Sequence, residues 1–178
     1  LLPGQEDLIA RLVVHYERTR NSYVWLRETM SLPVVEFLRR RLSIGDFPGH
    51  NAVRLSHAHL KIIVEQGVDS WRGALSNVKG VYLIVDITTG RQYVGKASGD
   101  VGIWQRWSSY AKTGHGGNAE LRALLKTHGV EHANNFQYSI LEIADTHASD
   151  LDILQRESYW MQVRCSREFG LNGPCRIG

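Results

Sequence analysis

Glu157 is the residue in this sequence that is hardest to place without a partner. It shares a helical face with Ile153, Leu154, Trp160 and Met161, and a carboxylate taken out of water needs a cation, a hydrogen-bond donor or a hard metal ion beside it. The residues leave three readings open: a salt bridge, a carboxylate at the edge of a core, or a ligand to a cation such as Mg2+. Arg106 and Tyr110 stand four apart, so on a helix they project from one face and can grip the same anion. Ordinary packing with the guanidinium reaching out to water is the alternative, since Trp104 and Trp107 ride on the same helix. Tyr82 and Tyr93 fall in two apolar, β-branched stretches, where a tyrosine is by default a half-buried strand residue. Lys96 by itself reads as a solvated cation. His115 lies in the glycine-rich run Thr113-Gly114-His115-Gly116-Gly117, where an exposed loop histidine is the default. His57 and His59 lack the companions a metal site requires.

The elements that must carry these side chains follow from periodicity and punctuation. Val81 to Ile87 reads as a strand, Thr88-Thr89-Gly90 as a turn and Arg91 to Gly95 as the partner strand of a hairpin. A helix is expected from about Gly102 to Lys112, a second from Asn118 to His128 closed by Gly129, a third strand from Phe136 to Ile143, and a longer helix from Asp150 to Val163 capped by Ser149. An irregular tail ends the chain. Upstream, Leu8, Leu12, Tyr16, Ile9 and Val13 recur at helical spacing across 7–20, and Ser31-Leu32-Pro33 offers a cap and an early proline for a helix through Leu42. Ile44 to Gly49 is a loop. Ser56 caps a helix through Glu65 stopped by Gly67, and Asp69 caps a short one to about Leu75. The expected fold class is α/β (α+β): a small, mostly antiparallel sheet of three strands flanked by helices, preceded by a helical N-terminal subdomain. The expected division is a helical region 1–78, an arm or a buttress, and a domain 79–178.

Taken in order, these residues resemble the GIY-YIG nuclease family. Gly80-Val81-Tyr82 stands for the first triplet and Tyr93-Val94-Gly95 for the second, with ten residues between the two tyrosines. Lys96 continues the second motif; Arg106 with Tyr110, Asn118 opening a helix, Glu157 and Asn172 follow, so that the resemblance covers about residues 79–175. It implies a metal-dependent DNA endonuclease that hydrolyses phosphodiester bonds by tyrosine-assisted attack of water. Glu157 would be the single protein ligand to Mg2+ or Mn2+. Tyr82, or by another reading Tyr93, would take the water's proton, and because an unperturbed phenol has a pKa of about 10 it needs the field of Lys96 and Arg106. Arg106 would also neutralise charge building on the phosphate. Tyr110 would orient the nucleophile or the phosphate, and Asn172 would fix the end of the metal-binding helix. Lys96, Arg106, Lys112, His115 and Asn118 would contact the substrate. A catalytically silent nucleic-acid-binding module is the other function such a sequence can serve.

Composition is consistent with these readings and excludes others. The chain of 178 residues is 43% hydrophobic and 22% charged, and no apolar run approaches the roughly 18 residues of a membrane span. Its net charge is +3, with six Lys/Arg against three Asp/Glu over residues 80–126 and four against seven over 127–178. A phosphate-facing surface is therefore expected on the earlier segment and a cation site on the later one. Cys165 and Cys175 have no second pair with which to build a zinc site or a disulfide framework, and a cytoplasmic location is expected. DNA is the expected partner, single- or double-stranded, in restriction, repair or element mobility. No organic cofactor or membrane is implied, and an oligomer stays open because double-strand cutting at one metal site needs two sites or two visits.

Overall fold

The computed structural model describes residues 12–14, 31–37, 45–76, 78–99, 102–144 and 147–173. The chain divides into two compact units, 1–44 and 45–178, so the boundary expected near residue 78 lies inside the second. In the first unit the described residues form strands, not helices: β1 (Leu12–Val14) pairs antiparallel with β2 (Val34–Phe37). The helical spacing is overruled by paired β-branched residues, Val13-Val14 and Val34-Val35, which are stiff at χ1 and suit a pleated ribbon. The rest of both expected helices falls outside the described residues.

The second unit is built on a sheet of four antiparallel strands, one more than expected. Its order is β3-β6-β4-β5, from β3 (Leu55–Ser56), β4 (Lys79–Asp86), β5 (Gln92–Ala97) and β6 (Phe136–Ala144). β3 has two residues, too few for an alternating pattern to show in sequence. Central β4 is almost wholly buried, as the unbroken run Val81-Tyr82-Leu83-Ile84-Val85 requires. The hairpin turn after it is locked by Asp86, whose carboxylate accepts from Thr88 N–H at 3.0 Å, Thr88 Oγ1 at 2.6 Å and Thr89 Oγ1 at 2.9 Å, with His132 Nε2 at 2.9 Å.

Alternation divides the side chains of the sheet between two layers. Val81, Leu83 and Val94 pack with Trp160 and Met161 of α5 (Asp150–Val163) on one face. Tyr82 and Ile84 face the other, where α3 (Gly102–Thr113) stands with α1 (His57–Gln66) and α2 (Asp69–Ser76) against it. α4 (Ala119–His128) follows α3. Helix ends obey local chemistry: Ser56 accepts from His59 N–H at 3.3 Å to start α1, Gly67 closes it at φ +61°, and Ser149 with Asp152 forms a capping box on α5. Among the described residues no helix is long and apolar enough to cross a membrane.

Candidate active site

Three phenols meet beneath α3. Tyr82 is fully buried and lies opposite Gly95 in the β4–β5 register, where a Cβ would stand 2.5 Å from the Tyr82 ring. The glycine of the second triplet is thus the floor on which the tyrosine of the first one lies. Tyr82 Oη is 3.0 Å from Tyr110 Oη, and its ring centroid is 5.9 Å from Tyr110, 6.3 Å from Trp107 and 6.5 Å from Tyr93. Tyr82 and Tyr110 are sealed from solvent, whereas Tyr93 keeps 8% of its surface. Burial pushes all three phenols above the ordinary tyrosine range. For Tyr93 a hydrogen bond with Tyr110 opposes that push, Glu157 adds to it, and Arg106 and a hydrogen bond with Asn118 oppose it.

Arg106 is half-buried beside them, its guanidinium carbon 5.7 Å from the centroid of the Tyr110 ring. The phenols, Tyr82 foremost, hold its pKa above the usual guanidinium value against the opposing effect of burial. Its Nε is buried without a hydrogen-bond partner, a donor unspent by the protein itself. A site of neutral phenols around one charged fork with a spare N–H is arranged for a phosphate oxygen.

Glu157 comes to this cluster from α5, along the outer edge of β5. That edge strand turns Gln92, Val94 and Lys96 outward, and each finds a partner in the same chain. Gln92 C=O accepts from Leu171 N–H at 2.7 Å, Asn172 accepts from Val94 N–H and donates to Val94 C=O, both at 2.7 Å, and Lys96 adds its positive charge beside Glu157. Asn172 therefore grips β5 directly, standing in for a neighbouring strand. Glu157 is 9% exposed. Burial raises its pKa, and Lys96 first, then Arg106 and Arg167, pull it back. Among the described residues it has no salt-bridge partner, because the adjacent Arg156 is committed to Glu142 at 2.6 Å. Among the described residues this leaves a partly desolvated carboxylate that faces cations.

The structure thus brings Tyr82, Tyr93, Arg106, Tyr110, Lys96 and Glu157 within reach of one another, while Asn172 grips the backbone of β5 and Asn118 caps α4. Lys112 is placed otherwise: it lines a cleft of about 360 Å³ with His57, Lys61 and Glu131, which none of the phenols nor Arg106 lines. His115 Nδ1 accepts from Gly117 N–H at 3.0 Å and shapes the loop. Two contributors were missed in the sequence. Tyr138 packs 6.1 Å from Tyr110 and 5.8 Å from Trp107, and its even offset from Phe136 could have put it on that face. Arg167 sits in the irregular tail, where no periodicity points to it. No group of three or more His, Cys, Asp and Glu able to hold a metal occurs among the described residues.

Neither a protein-family model nor a curated protein matches the chain. Among solved structures it is similar to a point mutant of the catalytic domain of intron endonuclease I-TevI, with 27% identity, 57% of this chain and 99% of that one covered, and a TM-score of 0.42. It is also similar to the catalytic domain of homing endonuclease I-TevI at 24% identity, covering 52% of this chain and 95% of that one with a TM-score of 0.39. The likeness to that domain extends over about half of the present chain.

Proposed function

We propose that this protein is a GIY-YIG-type endonuclease that hydrolyses phosphodiester bonds in DNA with one Mg2+ or Mn2+ ion. One observation carries the reading: Tyr82 and Tyr93 on the hairpin, Arg106 and Tyr110 on α3 and Glu157 on α5 interact with one another. A packing role alone gives no reason for an arginine Nε–H to be left without a hydrogen-bond partner beside a buried carboxylate that has no ion-pair partner among the described residues. Glu157 fits the ion, because Mg2+ is commonly held by one or two carboxylates together with waters and substrate phosphate. When bound, the ion supplies Lewis-acid polarisation of a phosphate oxygen.

The chain's own groups do the rest. Arg106 binds the phosphate through its fork and neutralises charge as the phosphorus gains a fifth oxygen. Tyr93, the phenol that reaches solvent, accepts the proton of the attacking water, and it does so as the anion that Arg106 favours. Tyr110 orders Tyr82 and Tyr93, and Lys96 adds positive charge beside Glu157. The test is incubation with supercoiled plasmid and with a short single strand in Mg2+ or Mn2+. Nicking or cutting that disappears in Glu157→Gln is expected; metal-dependent cutting that survives the substitution refutes the site. Salt-sensitive binding without cutting under any divalent ion would establish the silent binding module instead.

A further inference from the structure

α1 lies before residues 79–175, the stretch that resembles the GIY-YIG family, and it walls one side of the cleft of about 360 Å³ that Lys112 lines. Lys61 and Glu65 come from α1, Lys112 from the end of α3, and Glu131 and Asn134 from the 3-10 helix Val130–Asn135. His57 lines it too, only 4% exposed, with Nδ1 3.0 Å from Tyr138 Oη. Burial and then Lys61 bring its pKa down to about 4 against the pull of Glu131, so at neutral pH the ring holds a single proton. Burial also keeps the Tyr138 phenol protonated; donating to Nδ1, it leaves the ring proton on Nε2. Nε2 is neither hydrogen-bonded nor sealed among the described residues, so an N–H opens on the cleft. The two lysines are unspent as well: both are exposed, and neither reaches Glu65 or Glu131 at ion-pair distance. Glu131 accepts instead from Asn134 Nδ2 at 2.9 Å.

Two ammonium groups and one imidazole N–H thus face a space large enough for a small ligand, and together they suit the oxygens of a phosphate. Ring contacts tie this cleft to the phenol cluster: the His57 centroid lies 6.0 Å from that of Tyr138, and Tyr138 lies 6.1 Å from Tyr110. A strand that rises about 3.4 Å per nucleotide covers such a span in about three or four. We infer that the cleft binds a backbone phosphate of the DNA, held by Lys61, Lys112 and the His57 Nε2–H, about three or four nucleotides from the one being cut. This rests on the nuclease reading and deepens it. It returns Lys112 to the substrate contact that the resemblance implies, and it adds His57 and Lys61, which lie before the resembling stretch.

Lys61→Ala, Lys112→Ala and the double variant of the full chain are compared with the wild type. Binding is followed by fluorescence anisotropy in EDTA over a series of KCl concentrations, with whichever labelled DNA, duplex or single strand, the wild type binds more tightly. The His57 ring signal, assigned by its nuclear Overhauser contacts with Tyr138, is watched as that DNA, inorganic phosphate or dAMP is added. Each single substitution should lower the slope of log K against log salt by about 0.7–0.9 and the double one by about twice that, at unchanged melting temperature. In Mn2+ the KM for cleavage should rise with kcat unchanged, and DNA should displace the His57 signal in the wild type but not in the double variant. An unchanged salt slope in the double variant, or a His57 signal that DNA leaves in place, overturns the proposal. A signal moved by inorganic phosphate or dAMP but not by DNA overturns it too, and gives the cleft to a free phosphate or nucleotide. A wild type that binds DNA but cuts none under Mg2+ or Mn2+ fails the nuclease reading alone, because slope and signal still decide the cleft; one that binds no DNA sinks both.

Discussion

Removing single atoms from the phenol cluster separates its members. Tyr93→Phe should lower the cleavage rate by about 10²–10⁴-fold, because it removes the hydroxyl of the one phenol of the three that keeps some exposure. Tyr82→Phe should instead leave the buried Tyr110 hydroxyl short of its 3.0 Å partner and cost about 1–3 kcal/mol in denaturant unfolding. Burial raises the Tyr93 pKa above its ordinary value, so the reactive anion is scarce at neutrality. The metal-saturated rate should climb with pH on the alkaline side, and a flat profile there argues against a phenolate base. Glu157 is the opposite kind of group: its folded pKa is also raised, so ionised Glu157 costs stability in full above the folded pKa, and the cost shrinks as pH falls below it and is gone below the unfolded one. Metal-free Glu157→Gln should therefore melt above the wild type at pH 7, with the advantage vanishing below the ordinary carboxylate range.

Elements set these residues by close approach and by edge pairing. Gly95→Ala puts a methyl into the Tyr82 ring; overpacking of this kind costs about 1–3 kcal/mol, and cleavage should fall with the displaced phenol. Asn172→Leu removes both hydrogen bonds to Val94, leaving a buried N–H and C=O on the edge of β5, at a cost of about 2–5 kcal/mol. The β4–β5 turn carries its own pH dependence. Burial would raise the Asp86 pKa, but hydrogen bonds from Thr88, His132 and Thr89 bring it from the ordinary 3.8 to about 2. A depressed carboxylate contributes stability that is full above the unfolded pKa and lost as pH falls through the folded one. Thermal melts of the wild type against Asp86→Asn should accordingly converge between about pH 4 and pH 2.

At the scale of the whole molecule, the sheet, the three helices on its phenol face and α5 on the other belong to the unit 45–178. Every residue of the candidate site lies in that unit. A fragment of residues 45–178 should fold with a cooperative melt and keep metal-dependent cleavage of plasmid; a fragment that aggregates would show that residues 1–44 complete its core. Truncation at residue 79, where the strand pattern begins, should fail, because it strips α1 and α2 from α3 and deletes β3 from the edge of β6.

Hydrophobic alternation, caps and glycine stops are local properties, and they sufficed to locate β4, β5, β6 and the five described α-helices from the sequence, whereas the tyrosines, Arg106 and Glu157 were grouped only by the family resemblance. What they could not reach is anything decided by a partner distant in the chain. Leu55–Ser56 becomes a strand only because β6 has a free edge to offer. Leu12–Val14 and Val34–Phe37 become a ribbon because each strand finds the other. Lys112, two residues beyond Tyr110, points to another cleft, since helical rotation separates what sequence proximity joins. Asn172 binds the backbone of β5, 78 positions back, because an edge strand must satisfy its outward N–H and C=O groups from whatever the fold brings alongside.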